Sequence, residues 1–404
     1  MAAETAVTIA GSDQFGVVYF GNEWFAENRT SSHHIARRLP AHYPVLYVDS
    51  PGLRAPRASA RDVRRLFGKL AQTLRKPTLV APNLWHCTVP QIPFRRLPGV
   101  EALNRAFARW ALRRAIAAVG FRRVISWFVV PHPGFMAGKL DEDLVVYYCI
   151  DDYAALPGVD VEAITAADDA LTRRADQVFV AAPSLLAKKR AQNSTTVFSP
   201  HGVDFDLFAR AVDPMTTVPE RAAALPQPVI GFFGLLADWI DVQLLAFLAT
   251  QRPSWTLLLV GHVGTDVADL SVLPNVVFVG PQPYDTLPGW AKAFAVAVMP
   301  YRLNRQVLNS NPLKLREYLA TGKPVVSVTT PEVQRFAPHV RLADTPATFL
   351  AEVEAALRHD TLAQRAARQE AVRHLSWDAR VAEVLEVVRA ALARRRPEQK
   401  EVDE

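Results

Sequence analysis

Short apolar runs rich in β-branched residues alternate along this chain with stretches in which apolar residues recur every three or four positions. The runs at 17–20, 45–49, 84–89, 123–128, 144–149, 177–181 and 195–199 predict strands. Helical patterns lie between several of them, at 34–39, at 101–119 and between the strands at 144–149 and 177–181. Residues 209–228 then turn rich in Pro, Ala and Thr and read as a linker. The rhythm restarts at 229–234, 256–261, 276–280, 295–299 and 325–328. Strands that are apolar almost throughout are covered on both faces, and with helices between them they form parallel sheets. The expected fold class is α/β, with two Rossmann-like parallel-sheet domains facing a central cleft. The first covers 1–208, the linker 209–228 and the second 229–377; a helix at 378–395 returns to the first domain, and 396–404 is a solvated tail.

One stretch carries more than pattern. Residues 309–326 read NSNPLKLREYLATGKPVV. Asn311 suits a helix N-cap and Pro312 the first helical position. Leu313, Leu315, Tyr318 and Leu319 supply an apolar side, Gly322 a C-cap and Pro324 a stop. A helix start offers unpaired amides and about half a positive charge, so it suits a phosphate. Glu317, about one turn further in, could accept both hydroxyls of a ribose.

This stretch resembles the retaining glycosyltransferases of family 4 (group 1, GT-B fold), of the teichuronic-acid and exopolysaccharide type. In them a segment like PLKLxEYLAxGKPVV lies on the nucleotide-sugar site. The match runs through Pro312, Leu313, Lys314, Leu315, Glu317, Tyr318, Leu319, Ala320, Gly322, Lys323, Pro324, Val325 and Val326. The family's usual second glutamate, eight residues earlier, is Asn309 here. PHGVDFDLF at 200–208 resembles the family's PNGVDxxxF signature, at the crossing between domains.

The resemblance implies a donor-binding set of Gly234, Ser310, Asn311, Leu313, Glu317, Pro281 and Tyr284. The amides of Ser310, Asn311 and Leu313 would take the pyrophosphate, with Lys314 as a point charge and Gly234 allowing close approach of backbone. The loop from Pro281 to Tyr284 would receive the base. His132, in the loop after the strand at 123–128, would lie against the donor sugar and with Lys314 forms the expected catalytic pair. Gly21 and His34 would border the acceptor side. Each residue also has a plainer reading. Glu317 could be an exposed glutamate paired with Arg316 or Lys314, His132 an ordinary loop histidine, and His33 and His34 a solvated helix start. Family members often carry Arg and Lys just after the glycine at 234; this chain has Ala237, Asp238, Trp239 and Asp241. The diphosphate charge would then fall to Lys314, Arg302, Arg305 and the helix end, with Asp238 and Asp241 as a cap and a surface acid.

A length of 404 residues allows two or three domains. No run of eighteen apolar residues predicts a spanning helix, and the N-terminus lacks the basic region of a signal peptide. Cys87 and Cys149 sit in strand-like runs and read as buried thiols, which points to the cytoplasm; their spacing suggests no zinc site. Charge changes the picture. The net value is +6, yet from Arg54 to Arg123 sixteen Lys and Arg face two acids. Such a surface implies an anionic partner. A helix at 61–76 would put Val63, Leu66, Phe67, Leu70 and Leu74 on one face and basic residues on the other. It either lies on an anionic membrane or packs its apolar side on the sheet. No module for nucleic acid is present.

The implied reaction moves a sugar from a UDP- or GDP-linked donor to a polysaccharide or lipid-linked acceptor, at the cytoplasmic face of the membrane, without metal or other cofactor. A nucleotide-sugar epimerase on the same fold and a non-catalytic glycosyltransferase-like subunit are the competing readings.

Overall fold

The computed structural model describes residues 15–26, 29–50, 76–89 and 99–400, with side chains through residue 395. The chain divides into two compact units. One comprises 1–26, 30–200 and 381–404, and the other 27–29 and 201–380. The division falls before His201, within the PHGVD stretch.

The first unit is built on an eight-stranded sheet: β1 Phe15–Gly21, β2 Val45–Asp49, β3 Thr78–Ala81, β4 Leu84–Thr88, β5 Arg123–Phe128, β6 Leu144–Cys149, β7 Gln177–Val180 and β8 Thr196–Phe198. Its order is β3-β4-β2-β1-β5-β6-β7-β8. Every pairing is parallel except that of β3 with β4. The apolar runs form strands because both faces are covered: every residue of β1 and β6 is buried. Helices α1 Ser31–Arg38, α2 Val100–Ala118, α3 Val161–Arg174 and α4 Pro183–Gln192 belong to this unit. Strand β3 was not legible in the sequence. It is a four-residue edge strand, exposed at Thr78 and Leu79, so no alternation marks it.

The second unit holds a six-stranded, wholly parallel sheet: β9 Val229–Phe233, β10 Thr256–Val260, β11 Val276–Gly280, β12 Val296–Met299, β13 Val325–Val328 and β14 Arg341–Ala343. Its order is β11-β10-β9-β12-β13-β14. Helices α5 Val242–Gln251, α6 Leu287–Ala293, α7 Leu313–Ala320, α8 Pro331–Gln334, α9 Pro346–His359 and α10 Leu362–Arg373 accompany it, and α11 Trp377–Lys400 follows. Residues 209–228, expected as a linker, fold as short helical turns of this unit. Ala211 and Ala222 are buried, and Lys292 Nζ donates to the carbonyls of Asp213, Pro214 and Thr216 at 2.7, 3.1 and 2.9 Å. From residue 381 onward α11 belongs to the first unit, where Arg395 Nη2 pairs with Asp176 at 2.6 Å.

Both sheets are doubly wound, and strand order reverses direction between β1 and β5 in one and between β9 and β12 in the other. Loops leaving strands at such a point splay apart and leave a crevice at the carboxyl edge. In the second unit these are the loop after β9, starting at Gly234, and the connection from β12 to α7. In the first they are the loops after Gly21 and after Phe128. The helix expected at 61–76 lies outside the described residues, apart from Lys76, as do 401–404. Among the described residues no helix is long and apolar enough to cross a membrane.

Candidate functional site

In the second unit, β9 ends in Gly234 at φ +144°, a conformation L side chains rarely adopt. Its amide donates to Val260 O at 2.8 Å. A Cβ on Gly261 would lie 1.9 Å from Gly234 O, so the two glycines let these strand ends meet. Tyr318 of α7 then pins the end of β9: Phe233 N donates to its hydroxyl at 2.8 Å, and the hydroxyl donates to Phe233 O at 3.2 Å. That bond sets α7 against the Gly234 loop.

Helix α7 starts at Leu313 with Pro312 in the cap position and no side-chain cap. Asn311, expected as the N-cap, has another task. Its side chain is buried, accepting from Arg316 Nη1 at 2.6 Å and donating to Glu332 at 3.0 Å. Arg316 Nη2 meets the same Glu332 oxygen at 2.6 Å, with both side chains 2% exposed. Asn311 O faces His201 Nδ1 at 2.8 Å, which fixes the proton on Nδ1, since a carbonyl only accepts. Gly202 is required beside this histidine, because a Cβ there would lie 2.9 Å from the Trp377 backbone. The helix start is thus held by a set of buried, mutually hydrogen-bonded polar groups. At the other end Thr321 is the C-cap, and Gly322 is the next residue, at φ +71°.

Glu317 is not an exposed helix glutamate. It is 3% exposed, accepts from Tyr284 Oη at 3.1 Å, and pairs with Lys314 Nζ at 3.1 Å. Arg316 points the other way, into Glu332. Burial and the nearby Glu317 carboxylate raise the Tyr284 phenol well above its ordinary pKa, so it stays a donor. Lys314 Nζ also lies 5.4 Å over the Phe233 ring, and its Cε would be 2.8 Å from a Cβ on Gly234. Gly234, Tyr284, Lys314 and Glu317, far apart in sequence, therefore converge. Pro281 lies exposed in the loop that brings Tyr284 in, and Leu313 is half-buried at the first turn. Ser310 differs from expectation: its amide is spent on Val307 O at 3.2 Å, and its hydroxyl on the same carbonyl at 2.9 Å. The amides a helix leaves without intrahelical partners begin one turn later, at Leu313 and Lys314. Asp241 is occupied as the N-cap of α5, accepting from Leu244 N at 3.0 Å, while Asp238 is exposed.

In the first unit Gly21 closes β1, and a Cβ there would meet Tyr47 Oη at 2.2 Å. That hydroxyl donates to Asn22 O at 2.6 Å, so the glycine lets the following loop turn. His132 is half-buried and opens a 3₁₀ turn after β5. His34 is 2% exposed in α1, as is His33, so neither is a solvated helix start. His33 joins Glu23 O at 2.9 Å through Nε2 and accepts from Thr30 N at 3.1 Å through Nδ1. Its burial lowers the ring's pKa, in keeping with a neutral staple between loop and helix. At the same carboxyl edge His86 Nε2 and Asp49 Oδ2 lie 2.8 Å apart, and Asp151 follows β6 with its pKa pushed up by burial to about 7.

Sequence reasoning missed the Asn311–Arg316–Glu332 set, the phenol on Glu317, and Asp151. Only Asp151 left a trace, as an acid right after an apolar strand.

Residues 227–359 match the family model described as glycosyl transferases group 1. TuaH of Bacillus subtilis, assigned as a teichuronic acid biosynthesis glycosyltransferase, is 28% identical over 263 residues, which is 60% of this chain and 65% of that protein, just under two thirds of its length. Among solved structures, sucrose-phosphate synthase of Thermosynechococcus elongatus superposes with a TM-score of 0.68 at 15% identity, covering 94% of this chain and 100% of that one. Anabaena HepE, solved in complex with UDP and glucose, gives 0.64 at 14% identity over 92% and 99%. A trehalose 6-phosphate synthase of Burkholderia multivorans gives 0.62 at 13% over 94% and 99%. Residues 227–359 are thus similar to the group 1 glycosyl transferases, within a chain that has the GT-B fold of two Rossmann-like parallel-sheet domains.

Proposed function

We propose that this protein is a metal-independent hexosyltransferase. It transfers a sugar, with retention, from a UDP- or GDP-linked donor to a polysaccharide or lipid-linked acceptor at the cytoplasmic face of the membrane. The observation that carries the reading is the Glu317 carboxylate, buried yet held between Tyr284 Oη and Lys314 Nζ beside Gly234. A buried carboxylate is costly unless hydrogen-bonded, and this one has a donor on each side. Presented to a ribose, it accepts charge-assisted bonds from the hydroxyls, each worth roughly 1.5–3 kcal/mol. The diphosphate then meets the first amides of α7, the Gly234 turn and the Lys314 ammonium. These groups stabilise charge as the glycosidic bond loosens, and their placement ahead of the reaction is what makes them effective. With Asn309 in place of a carboxylate, the departing diphosphate itself takes the acceptor proton. The solved UDP complex of HepE and the TuaH assignment support a nucleotide-sugar donor and a cell-envelope acceptor.

Calorimetry with UDP, GDP and ADP tests the pocket. One of them binds the native chain, and Glu317→Ala weakens that binding at least about tenfold, or ~1.4 kcal/mol. Release of nucleotide from a panel of UDP- and GDP-sugars tests the reaction. No affinity for any of the three nucleotides, or equal affinity in Glu317→Ala, defeats the reading. Binding without turnover or hydrolysis would favour a non-catalytic subunit, the alternative that the acidic Asp238 and capped Asp241 after Gly234 also suit.

A further inference from the structure

Helix α2 buries Asn104, Ala108, Ala111, Leu112, Ala115 and Ile116 against its own unit, so its core face is accounted for. Its outward face is apolar as well. Leu103 is 56% and Trp110 47% exposed, with the half-buried Phe107 between them. At helical spacing these three form one stripe, about 10 Å long, opposite the buried side. Arg113 and Arg114 border it and Arg109 lies on the flank beyond Arg113, with its Nε on Lys139 O at 3.2 Å, whereas Arg105 is on the other side of the helix over the Phe135 ring; Glu101 is the helix's one acid. We infer that the Leu103–Phe107–Trp110 face of α2 docks on an anionic lipid surface, with the arginines on the headgroups.

Charge selects this occupant. The helix lies within the stretch 54–123, which carries sixteen basic residues and two acidic ones. A second copy would set arginine against arginine across a two-fold axis. The segment 61–76 is itself basic and would meet the same repulsion. A stacked nucleobase needs an open ring face. Trp110 has Phe107 at 5.7 Å, tilted by 31°, and Arg114 over its ring at 5.7 Å, so part of the ring surface is already taken. Arg105 and Arg113 are partly neutralised by Glu101 and Asp141, whereas Arg109 and Arg114 have no carboxylate partner among the described residues. An aromatic and a leucine at headgroup depth, with basic side chains beside them, match an interfacial helix.

The surface gives the membrane-face part of the proposed function a physical location, and in that sense rests on it. Its test does not need the donor. The full chain is sedimented with vesicles of phosphatidylcholine, with and without one-third phosphatidylglycerol, alongside UDP calorimetry on every variant. Binding is expected to the anionic vesicles only and to weaken with salt. Leu103→Ser with Trp110→Ser should abolish it. Arg109→Glu with Arg114→Glu should lower it by about 30-fold or more, the value of two basic side chains at such a surface. UDP affinity should be unchanged, because these residues lie in the first unit. Unimpaired vesicle binding by both double variants would overturn the inference, and so would its loss only in Leu66→Ser with Leu70→Ser. Absence of binding to any vesicle would overturn it too, as would self-association that Leu103→Ser with Trp110→Ser removes. Loss of UDP binding by the native chain would instead strike the proposed donor site and leave this surface standing.

Discussion

Replacing Glu332 by alanine separates two jobs done by one buried charge. Its carboxylate holds Arg316 at 2.6 Å, Asn311 at 3.0 Å and Arg335 at 3.0 Å. Arg335 is half-exposed and loses little. Arg316, 2% exposed, is left with Asn311 and the Phe336 ring at 5.3 Å, and its charge has lost its carboxylate partner. Removing one partner of such a pair costs about 3–5 kcal/mol. With a urea dependence of ~1–3 kcal/mol per molar, the midpoint of the second unit should fall by roughly 1–5 M. A second variant, Arg316→Met with Glu332→Leu, leaves neither charge and should recover most of that loss, since an apolar pair of similar volume replaces a buried ion pair at little cost. It should not recover nucleotide binding. Asn311 loses its side-chain bonds to Arg316 and Glu332, and the carbonyl that holds His201 at 2.8 Å is freed to shift, so the α7 start is no longer preorganised. UDP affinity, read by calorimetry, should fall about tenfold, or ~1.4 kcal/mol. Native UDP affinity in the stable double variant would refute the positioning argument. A loss below ~1 kcal/mol in Glu332→Ala would refute the energetic one.

Further outcomes follow from the same geometry. Tyr284→Phe removes a donor from a buried carboxylate and should weaken UDP binding several-fold while leaving binding of inorganic pyrophosphate intact; Lys314→Met should do the reverse, and parallel losses for both ligands would argue against the division of roles. Burial raises Asp151 from 3.8 to about 7, so between these values the folded chain keeps a proton that the unfolded chain has released. Its contribution is therefore complete below about pH 4 and lost as pH rises through about 7, at ~1.4 kcal/mol per unit. Asp151→Asn should flatten the fall in urea midpoint between about pH 4 and 7, and an unchanged slope would remove Asp151 as its source.

Repetition made most of the fold legible. A strand covered on both faces must be apolar throughout, so β1, β6 and β10 announce themselves, and the return of the pattern at 229 announces the second sheet. Strands β3 and β14 escaped because a short edge strand has little buried surface to leave a period in the sequence. The α7 helix was legible from its polar start, its proline and the glycine after it, within one residue at each end. Its electrostatics were not. Whether Glu317 faces water or the core depends on Tyr284, thirty-three positions away, and on Gly234 letting the Lys314 chain close over it. Whether Asn311 caps a helix or ties Arg316 to Glu332 depends on where β13 delivers α8.

The amino-acid sequence by itself determined what local periodicity and backbone chemistry can encode: two doubly wound sheets, the helix at 313–320, its glutamate and lysine, and a basic first half. Tertiary structure alone decided which side chains share a buried space. It turned Glu317 inward, joined Arg316 to Glu332 beside the helix start, and left Leu103 and Trp110 uncovered. The physical reason is range. Propensity and pattern act over a few residues, whereas burial, which sets the strength of every charge and hydrogen bond, is settled by contacts between segments a hundred residues apart.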